Sequence, residues 1–325
     1  MFDLIAVGEL LIDFTPESAP GAPKPLYSQN PGGAPGNVLA AAAALGARTA
    51  LVSRVGDDAF GQFLISAAAA QGIDTAHISR DRDIHTTLAF VHLDETGDRS
   101  FSFYRNPGAD LALAPEHIPA QLFPQARIFH FGSVSMTGAP ARAATFHALD
   151  LARRAGCLVS YDPNWRPSLW AGQAEALEVM RRPLPQVDVL KVSQEELPLL
   201  SGTDDLAEGS RRLCEQGPAL VLVSLGAQGA FWRLGTMTGR RKGYRVATVD
   251  TTGAGDAFLG AALWQLRGLN RAQLEELSPS ALEEIVDFAN AAGALATTRK
   301  GSFSVMPLPA EIDSLRAQGP AKEDV

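Results

Sequence analysis

The chain of 325 residues has no Gly-Lys-Ser/Thr phosphate loop, no long apolar run and only two cysteines. The missing loop excludes the P-loop nucleotide enzymes. The longest apolar stretch, Val38–Ala47, is far shorter than the roughly 18 residues that a membrane helix needs. Cys157 and Cys214 belong to no paired metal-ligand spacing. We therefore expect reduced thiols in a cytoplasmic protein that carries no secretory signal.

Positive charge is also scarce, because 28 basic residues stand against 36 acidic ones and give a net charge of −8. The chain has no basic run, so nucleic acid and anionic membrane surfaces are poor candidate partners. An anionic ligand would need a local positive site. The six histidines are scattered without a helical metal-binding pair, which argues against a zinc site.

Short β-branched apolar runs alternate with longer Ala- and Leu-rich stretches along the whole chain. This order predicts one α/β domain over residues 1–325, with a mostly parallel sheet covered on both faces. The predicted strands are Leu4–Gly8, Ala50–Val55, Ile128–Phe131, Leu158–Asp162, Val187–Val192 and Leu220–Leu225. The predicted helices are Gly36–Leu45, Phe60–Gln71, Ala139–Ala155, Glu195–Leu200, Leu206–Gln216, Ala257–Leu266 and Leu282–Thr297. We expect the polar tail from about Pro309 to be frayed.

Two segments break this rhythm. Thr86–Leu93 and Arg99–Tyr104 alternate like strands around the turn residues Asp94–Asp98, which predicts a β-hairpin. The stretch Pro16–Gly33 is rich in proline and glycine and is predicted to be non-helical. We expect residues 14–33 and 85–106 to form a small β-structured lid over the strand ends, where open α/β sheets bind ligands. Such a lid would exclude water from a reaction that competes with hydrolysis.

The most informative motif is Asp250-Thr-Thr-Gly-Ala-Gly-Asp256, followed at once by a helical pattern. The glycines allow close approach of backbone N–H groups, and the start of the helix favours an anion such as phosphate. Asp256 at the rim of that site could take a proton from a hydroxyl, as phosphoryl transfer to an alcohol requires. The alternative is an ordinary strand-to-helix turn in which Asp256 caps the helix.

A second glycine cluster, Gly32–Asn37, also precedes a helix. Gly33 could serve backbone geometry alone, but Asn37 offers a donor and an acceptor for hydroxyl recognition. Asp13 lies in an apolar setting, and a buried acid is costly unless it is hydrogen-bonded. Sugar hydroxyls or a nearby backbone turn would both satisfy it.

These segments, with Gly8-Glu9 and Arg54–Asp58, resemble the ribokinase-like (PfkB) carbohydrate kinases over nearly the whole chain, most closely the bacterial fructokinases. The resemblance implies a ribokinase-like three-layer fold with a small β lid. It also implies ATP as co-substrate, Mg²⁺, activation by K⁺, and a homodimer paired through the lids.

The resemblance further implies roles for matching positions. Asp256 would be the base, and the backbone of Gly253, Ala254 and Gly255 would stabilise the transferred phosphoryl group. Asp13, Gly33 and Asn37 would hold the sugar. The matching nucleotide-binding positions are Lys191, Ser193, Glu196, Ser224, Gly226, Gly229 and Asn290, and those of the K⁺ site are Asp250, Thr252 and Gly301.

Two of these positions leave alternatives open. The family's Asn-x-x-Glu motif for Mg²⁺ reads Ser193-Gln-Glu-Glu196 here, so Glu196 would act through water and direct ligation by Ser193 is doubtful. Lys191 could face the phosphates or stand at a solvent-exposed strand end.

The identity of the sugar depends on two arginines. Arg105, in Phe103–Asp110, and Arg166, in Asp162–Arg166, lie in segments that resemble the fructokinase branch. The related 2-keto-3-deoxygluconate kinases share a Tyr-x-Arg segment. Each arginine could orient a neutral sugar, pair with a substrate acid, or make a structural ion pair. The favoured activity is transfer of the ATP γ-phosphate to the 6-hydroxyl of D-fructose. A kinase of the keto-acid or of another sugar is the alternative, and a non-catalytic sugar or nucleotide sensor represents another class.

Overall fold

A ten-stranded sheet forms the centre of the computed structural model, which describes residues 1–18, 23–93 and 99–320. The strands in these residues are β1 (Phe2–Val7), β2 (Leu11–Pro16), β3 (Tyr27–Gly32), β4 (Thr49–Gly56), β5 (Ile73–Asp74), β6 (Ile78–Asp81), β7 (Leu88–Leu93), β8 (Arg99–Tyr104), β9 (Ala126–Gly132), β10 (Leu158–Asp162), β11 (Val189–Ser193), β12 (Leu220–Ser224), β13 (Ala230–Leu234) and β14 (Met237–Arg241). The large sheet has the order β14-β13-β12-β11-β10-β9-β1-β4-β5, and β6 also pairs with β4. Its pairs are parallel except for the edge hairpin β12-β13-β14.

Both faces of this sheet are buried. Successive strand residues point to opposite faces, and four consecutive residues of β1, Leu4–Val7, are all buried. In β1, Leu4 and Ala6 belong to one hydrophobic core, and Ile5 and Val7 belong to the other. Strands buried on both faces read as continuous apolar runs, which explains why these strands are evident in the sequence.

Helices cover the two faces of the sheet. The helices in the described residues are α1 (Ala34–Ala44), α2 (Ala59–Ala70), α3 (Ala141–Ala155), α4 (Gln173–Arg181), α5 (Glu196–Ser201), α6 (Leu206–Cys214), α7 (Ala254–Leu266), α8 (Arg271–Glu275), α9 (Pro279–Ala296) and α10 (Pro309–Ala317). Helices α1, α7, α9 and α10 pack on one core, whereas α3 to α6 pack on the other. The predicted three-layer α/β fold with a mostly parallel sheet is confirmed.

A separate four-stranded sheet, called the small sheet below, has the order β3-β2-β7-β8. Its pairs are antiparallel except for β2 with β7. Phe14 stacks on Phe90 with ring centroids 4.8 Å apart, and Tyr27 and Tyr104 meet Phe90 edge-on. This aromatic cluster holds β2, β3, β7 and β8 together.

Several boundaries differ from the sequence predictions. Strand β7 begins at Leu88 rather than Thr86, and the predicted turn Asp94–Asp98 lies outside the described residues. The sequence analysis missed β2 and the edge strands β13 and β14. The prediction of a frayed tail was wrong for Pro309–Ala317, because Ile312 and Leu315 bury one face of α10 in the core; residues 321–325 lie outside the described residues. In the described part of the chain, no helix is long and apolar enough to cross a membrane.

Candidate active site

The turn Gly253–Asp256, called the phosphate turn below, leads into α7. Gly253 occupies the position before the helix with φ 76°, a left-handed conformation that favours glycine. Helix α7 begins at Ala254, three residues before the predicted start. Asp256 is therefore in the first turn and does not cap the helix, so that alternative interpretation of Asp256 was wrong.

Asp256 contacts the second glycine-rich turn. Asn37 Nδ2, in the first turn of α1, donates a hydrogen bond of 2.7 Å to Asp256 Oδ2. The preceding Gly33 has φ 118°, and a Cβ there would lie 2.4 Å from the carbonyl oxygen of Glu9. Gly33 is thus required for backbone geometry, and it also lines the cavity that contains Asp256.

That cavity, called the Asp256 cavity, has a volume of about 280 Å³. It gathers most of the residues that were predicted to hold the sugar: Asp13, Gly33, Asn37 and Arg166. Glu9, Asn164 and Lys191 line it as well. A polar cavity with several carboxylates, two amides and two cations is suited to a ligand that is rich in hydroxyl groups.

The acids of the cavity hold their protons unusually tightly. Burial raises the pKa of Asp256 to about 6, and the charge of Asp162 adds to this rise, whereas Asn37 and Lys191 oppose it. Burial also raises the pKa of Asp13 to about 7, with Arg166 opposing the rise. A carboxylate with a pKa near neutrality is well matched to accept a proton from a hydroxyl.

Arg105 lies elsewhere, since it does not line the Asp256 cavity. It is buried, and its Nε and Nη2 donate to Asp110 Oδ2 at 2.8 and 2.6 Å. Its other contacts are Thr137 Oγ1 and the carbonyl oxygen of Val134. Of the three roles that the sequence left open for Arg105, this geometry favours the structural ion pair.

A second cavity of about 470 Å³, called the Asn290 cavity, contains four of the predicted nucleotide-binding residues: Ser224, Gly226, Gly229 and Asn290. Asn290 Nδ2 donates to the carbonyl oxygens of Arg241 and Lys242, both at 3.3 Å. Thr251 and Gly255 line both cavities. The phosphate turn therefore lies where the two cavities meet.

Lys191 is buried near this junction. Its Nζ donates to Asp162 Oδ2 at 2.8 Å, and a Cβ on Gly255 would lie 3.1 Å from the same nitrogen. The charges of Asp162 and Glu196 raise the pKa of Lys191 above its usual value, although burial opposes them. The alternative of a solvent-exposed strand end was wrong, because this lysine is only 6% exposed.

Ser193, the last residue of β11, and Glu196, the first residue of α5, are hydrogen-bonded to each other. Glu196 Oε1 accepts the N–H of Trp165 at 2.7 Å, and Oε2 accepts the N–H of Ser193 at 2.8 Å. Ser193 Oγ in turn accepts the N–H of Glu196. Each carboxylate oxygen keeps a free lone pair, so Glu196 fits a role in holding a water of hydrated Mg²⁺. Burial and the nearby Asp162 charge raise the pKa of Glu196, and a bound cation would oppose this rise by favouring the ionised carboxylate.

The three residues of the predicted K⁺ site lie together. Asp250 is buried, with Oδ1 accepting the N–H of Thr252 at 2.8 Å and Oδ2 accepting that of Gly301 at 3.2 Å. These bonds fix two chain segments around one carboxylate, directly before the phosphate turn. Hard cations prefer oxygen ligands, and Asp250 supplies the one charged oxygen ligand among these three residues.

The sequence analysis assigned no role to Glu9, Asp162 or Asn164. All three lie at or just after the carboxyl end of β1 or β10, which is the signal that could have identified them. Glu9 Oε1 accepts the N–H of Ala34 at 3.1 Å, and burial raises its pKa to about 7. Asn164 adopts φ 46°, the one left-handed non-glycine residue in the described part of the chain.

Known proteins resemble this chain over almost its full length. Residues 1–309 match the pfkB family of carbohydrate kinases. A probable fructokinase-4 of Arabidopsis thaliana is 39% identical over 315 residues, which is 96% of each chain.

Two solved structures share the fold. The fructokinase of Xylella fastidiosa with bound ATP has a TM-score of 0.90 at 37% identity, covering 98% of this chain and 99% of its own. A double mutant of the Vibrio cholerae O395 fructokinase, in its fructose, ADP and potassium ion bound form, has a TM-score of 0.86 at 34% identity, with coverage of 96% and 97%. Together with the match to residues 1–309, these similarities establish that the chain is a member of the pfkB family of carbohydrate kinases.

Proposed function

We propose that the protein is an ATP-dependent fructokinase that phosphorylates the 6-hydroxyl of D-fructose. The observation that carries this proposal is the junction of two cavities at the phosphate turn. A hydroxyl-binding cavity with Asp256 lies on one side, and the Asn290 cavity, which we assign to the nucleotide, lies on the other. The fructokinase relatives support fructose as the acceptor.

The sugar side of the reaction follows from the lining of the Asp256 cavity. Asp13 and Asn37 bind hydroxyl groups, while Gly33 lets the backbone approach the ring. Asp256 accepts the proton of the 6-hydroxyl as its oxygen attacks the γ-phosphorus. The new O–P bond forms as the bond from phosphorus to the β,γ-bridging oxygen breaks, and ADP leaves with that electron pair.

The phosphoryl side needs positive potential. The backbone N–H groups of Gly253, Ala254 and Gly255 supply it, together with the positive end of α7. Lys191 lies next to this turn and adds a full charge. Mg²⁺ would neutralise phosphate oxygens when ATP is bound, with Glu196 holding one of its waters. Asp250, Thr252 and Gly301 would hold K⁺ and stabilise the turn from behind.

The small sheet is the lid in this proposal. Asp13 is on β2, and Phe103 of β8 lines the Asp256 cavity, so the sheet supplies part of the wall around the sugar. Closure over a bound sugar would exclude water. Tyr27 and Tyr104 are 38% and 67% exposed and both contact Phe90, and this exposed aromatic patch supports pairing of two lids in a homodimer. A cytoplasmic location remains a prediction from the sequence.

One observation supports 2-keto-3-deoxygluconate as a second candidate substrate. Arg166 lines the Asp256 cavity, where it could pair with the carboxylate of 2-keto-3-deoxygluconate. Arg166→Ala separates the two cases. If the substrate is acidic, this variant raises KM for the keto-acid far more than for fructose. The non-catalytic sensor is disfavoured by the intact junction, and it would show ligand binding without release of ADP.

The position of phosphorylation tests the proposal directly. Product made from D-fructose and MgATP is examined by phosphorus and carbon NMR, and the expected product is fructose 6-phosphate. The Asp256→Asn variant is the matched control for non-enzymatic transfer. Fructose 1-phosphate would show that the sugar lies in the opposite orientation, and the absence of any sugar phosphate would contradict the proposal.

A further inference from the structure

The segment Lys300–Ser302, called the 300–302 loop, lies between the small sheet and the phosphate turn. On one side Ser302 Oγ donates to the carbonyl oxygen of Pro31, on β3, at 3.1 Å. Lys300 Nζ contacts Glu17 Oε2, which follows β2, at 2.8 Å. The loop is therefore attached to the two small-sheet strands nearest to it.

The other side of the loop contacts the phosphate turn. A Cβ on Gly253 would lie 3.0 Å from Ser302 Cβ, so the serine packs directly behind that glycine. The neighbouring Gly301 donates its N–H to Asp250, whose other oxygen fixes Thr252. Ser302 is only 3% exposed and lines neither the Asp256 cavity nor the Asn290 cavity. It contacts both parts of the site from behind without reaching either ligand cavity.

The register of the small sheet connects this contact to the sugar. Pro31 pairs with Ile12 and Asn30 pairs with Asp13 across β2 and β3. A sugar bound to Asp13 therefore restrains the strand pair that accepts the hydrogen bond from Ser302. Restraint of Ser302 limits in turn the movement of Gly253 and of the phosphate turn that it begins, whose N–H groups face the nucleotide phosphates in the proposed mechanism.

We infer that Ser302 is a positioning residue that couples the small sheet to the phosphate turn, so that bound sugar strengthens nucleotide binding. This inference rests on the proposed function. Coupling of this kind is reciprocal, because each ligand must change the affinity of the other by the same factor. The hydroxyl of Ser302 is the specific link, since an alanine would keep the packing behind Gly253 and lose only the bond to Pro31.

The test is calorimetric titration of a non-hydrolysable ATP analogue with Mg²⁺, in the presence and absence of saturating D-fructose. The ratio of the two Kd values is the coupling factor. We expect a wild-type factor of at least about fivefold. Ser302→Ala should bring this factor down towards one, with the loss limited to about tenfold, the upper range for loss of one hydrogen bond. The Kd of each ligand alone should stay within about twofold of the wild-type value, because a direct ligand would lose more.

Two further variants sharpen the result. Ser304→Ala removes a hydroxyl from an exposed serine two residues away and should keep the wild-type coupling factor. Ser302→Cys keeps a weak donor of similar size and should give an intermediate factor. If alanine disturbs folding, the cysteine variant still tests the inference.

Three outcomes would overturn the inference: a wild-type coupling factor of one, an unchanged factor in Ser302→Ala, or an equal loss in Ser304→Ala. The titration is repeated with 2-keto-3-deoxygluconate, so that a different sugar preference does not decide the answer. Coupling without ADP release would contradict the kinase proposal and leave the role of Ser302 standing. ADP release with unaltered coupling in Ser302→Ala would do the reverse.

Discussion

Asn37 and Asp256 are 219 residues apart in the sequence, and Asn37 Nδ2 donates a hydrogen bond of 2.7 Å to Asp256 Oδ2. This bond joins the first turns of α1 and α7, which also pack against each other in the core. The hydroxyl-binding turn and the proposed base are thereby held as one unit. The bond also orients the carboxylate, so that Oδ1 remains for the substrate hydroxyl.

Loss of the Asp256 carboxylate should stop turnover without unfolding the protein. Asp256→Asn is expected to lower kcat by at least about 10²- to 10⁴-fold, the usual contribution of a general base. The measurement is initial-rate kinetics with fructose and MgATP, with the exposed Asp313→Asn as control. Near-normal turnover in Asp256→Asn would remove Asp256 from the mechanism.

The same variant should be at least as stable as the wild type at pH 8. The folded protein raises the pKa of Asp256 from 3.8 to about 6, so the ionised form is disfavoured in the fold. This penalty is fully present above about pH 6 and vanishes below the unfolded value. Thermal unfolding at pH 8 and pH 4 measures the difference, which should shrink at the lower pH. A large loss of Tm at pH 8 would indicate a structural role instead.

The raised pKa also predicts an acidic limb in the rate profile. A base must be ionised, so kcat/KM should fall as the pH drops through about 6. Asn37→Ala removes a hydrogen bond to the charged form and should move this limb to higher pH. The profile should be measured with fructose far below KM, because kcat/KM then reports the free enzyme. A limb near pH 4 in the wild type would contradict the assignment.

Arg105 should matter for stability more than for sugar recognition. Removal of one member of a buried ion pair costs about 3–5 kcal/mol, because the other charge is left unpaired. Arg105→Ala leaves the buried Asp110 without its ion-pair partner and should therefore lower the free energy of unfolding, measured in urea, by that amount. Arg105→Met combined with Asp110→Leu should recover much of the loss. A selective rise in the KM for sugar, with normal stability, would place Arg105 in the substrate site.

Potassium should activate the enzyme through Asp250. Raising K⁺ against tetramethylammonium at constant ionic strength is expected to increase kcat/KM several-fold in the wild type. Asp250→Asn should abolish this response, since the cation loses its only charged ligand among the three proposed residues. An identical response in the variant would move the cation site elsewhere.

The fold was largely predictable because the β1, β9 and β12 strands are buried on both faces and read as continuous apolar runs. The phosphate turn was also predictable from the sequence, since Gly253 and Gly255 lie just before a helix and allow the backbone to approach a ligand. The small sheet was predicted only in part. Its strand β2 carries Asp13 between apolar residues, and that pattern does not distinguish a strand from a loop.

Other features depend on contacts that no local pattern records. The sequence leaves three roles open for Arg105, and only the tertiary structure reveals its pairing with Asp110. The sequence does not decide whether Lys191 faces the phosphates or stands at an exposed strand end, and only the structure shows its buried ion pair with Asp162 of the neighbouring strand. No sequence pattern indicates a role for Ser302, because the proposed role depends on its contacts with Pro31 and Gly253. Long-range pairing of this kind is decided by packing rather than by propensity.

The central claim is best tested by ADP release in a coupled assay with MgATP and K⁺, using D-fructose, 2-keto-3-deoxygluconate, ribose and adenosine as acceptors. The account predicts the highest kcat/KM with fructose and no release above background in Asp256→Asn. A preference for the keto-acid would contradict the assigned sugar. If no acceptor of the four supports ADP release, the assignment as a fructokinase is contradicted.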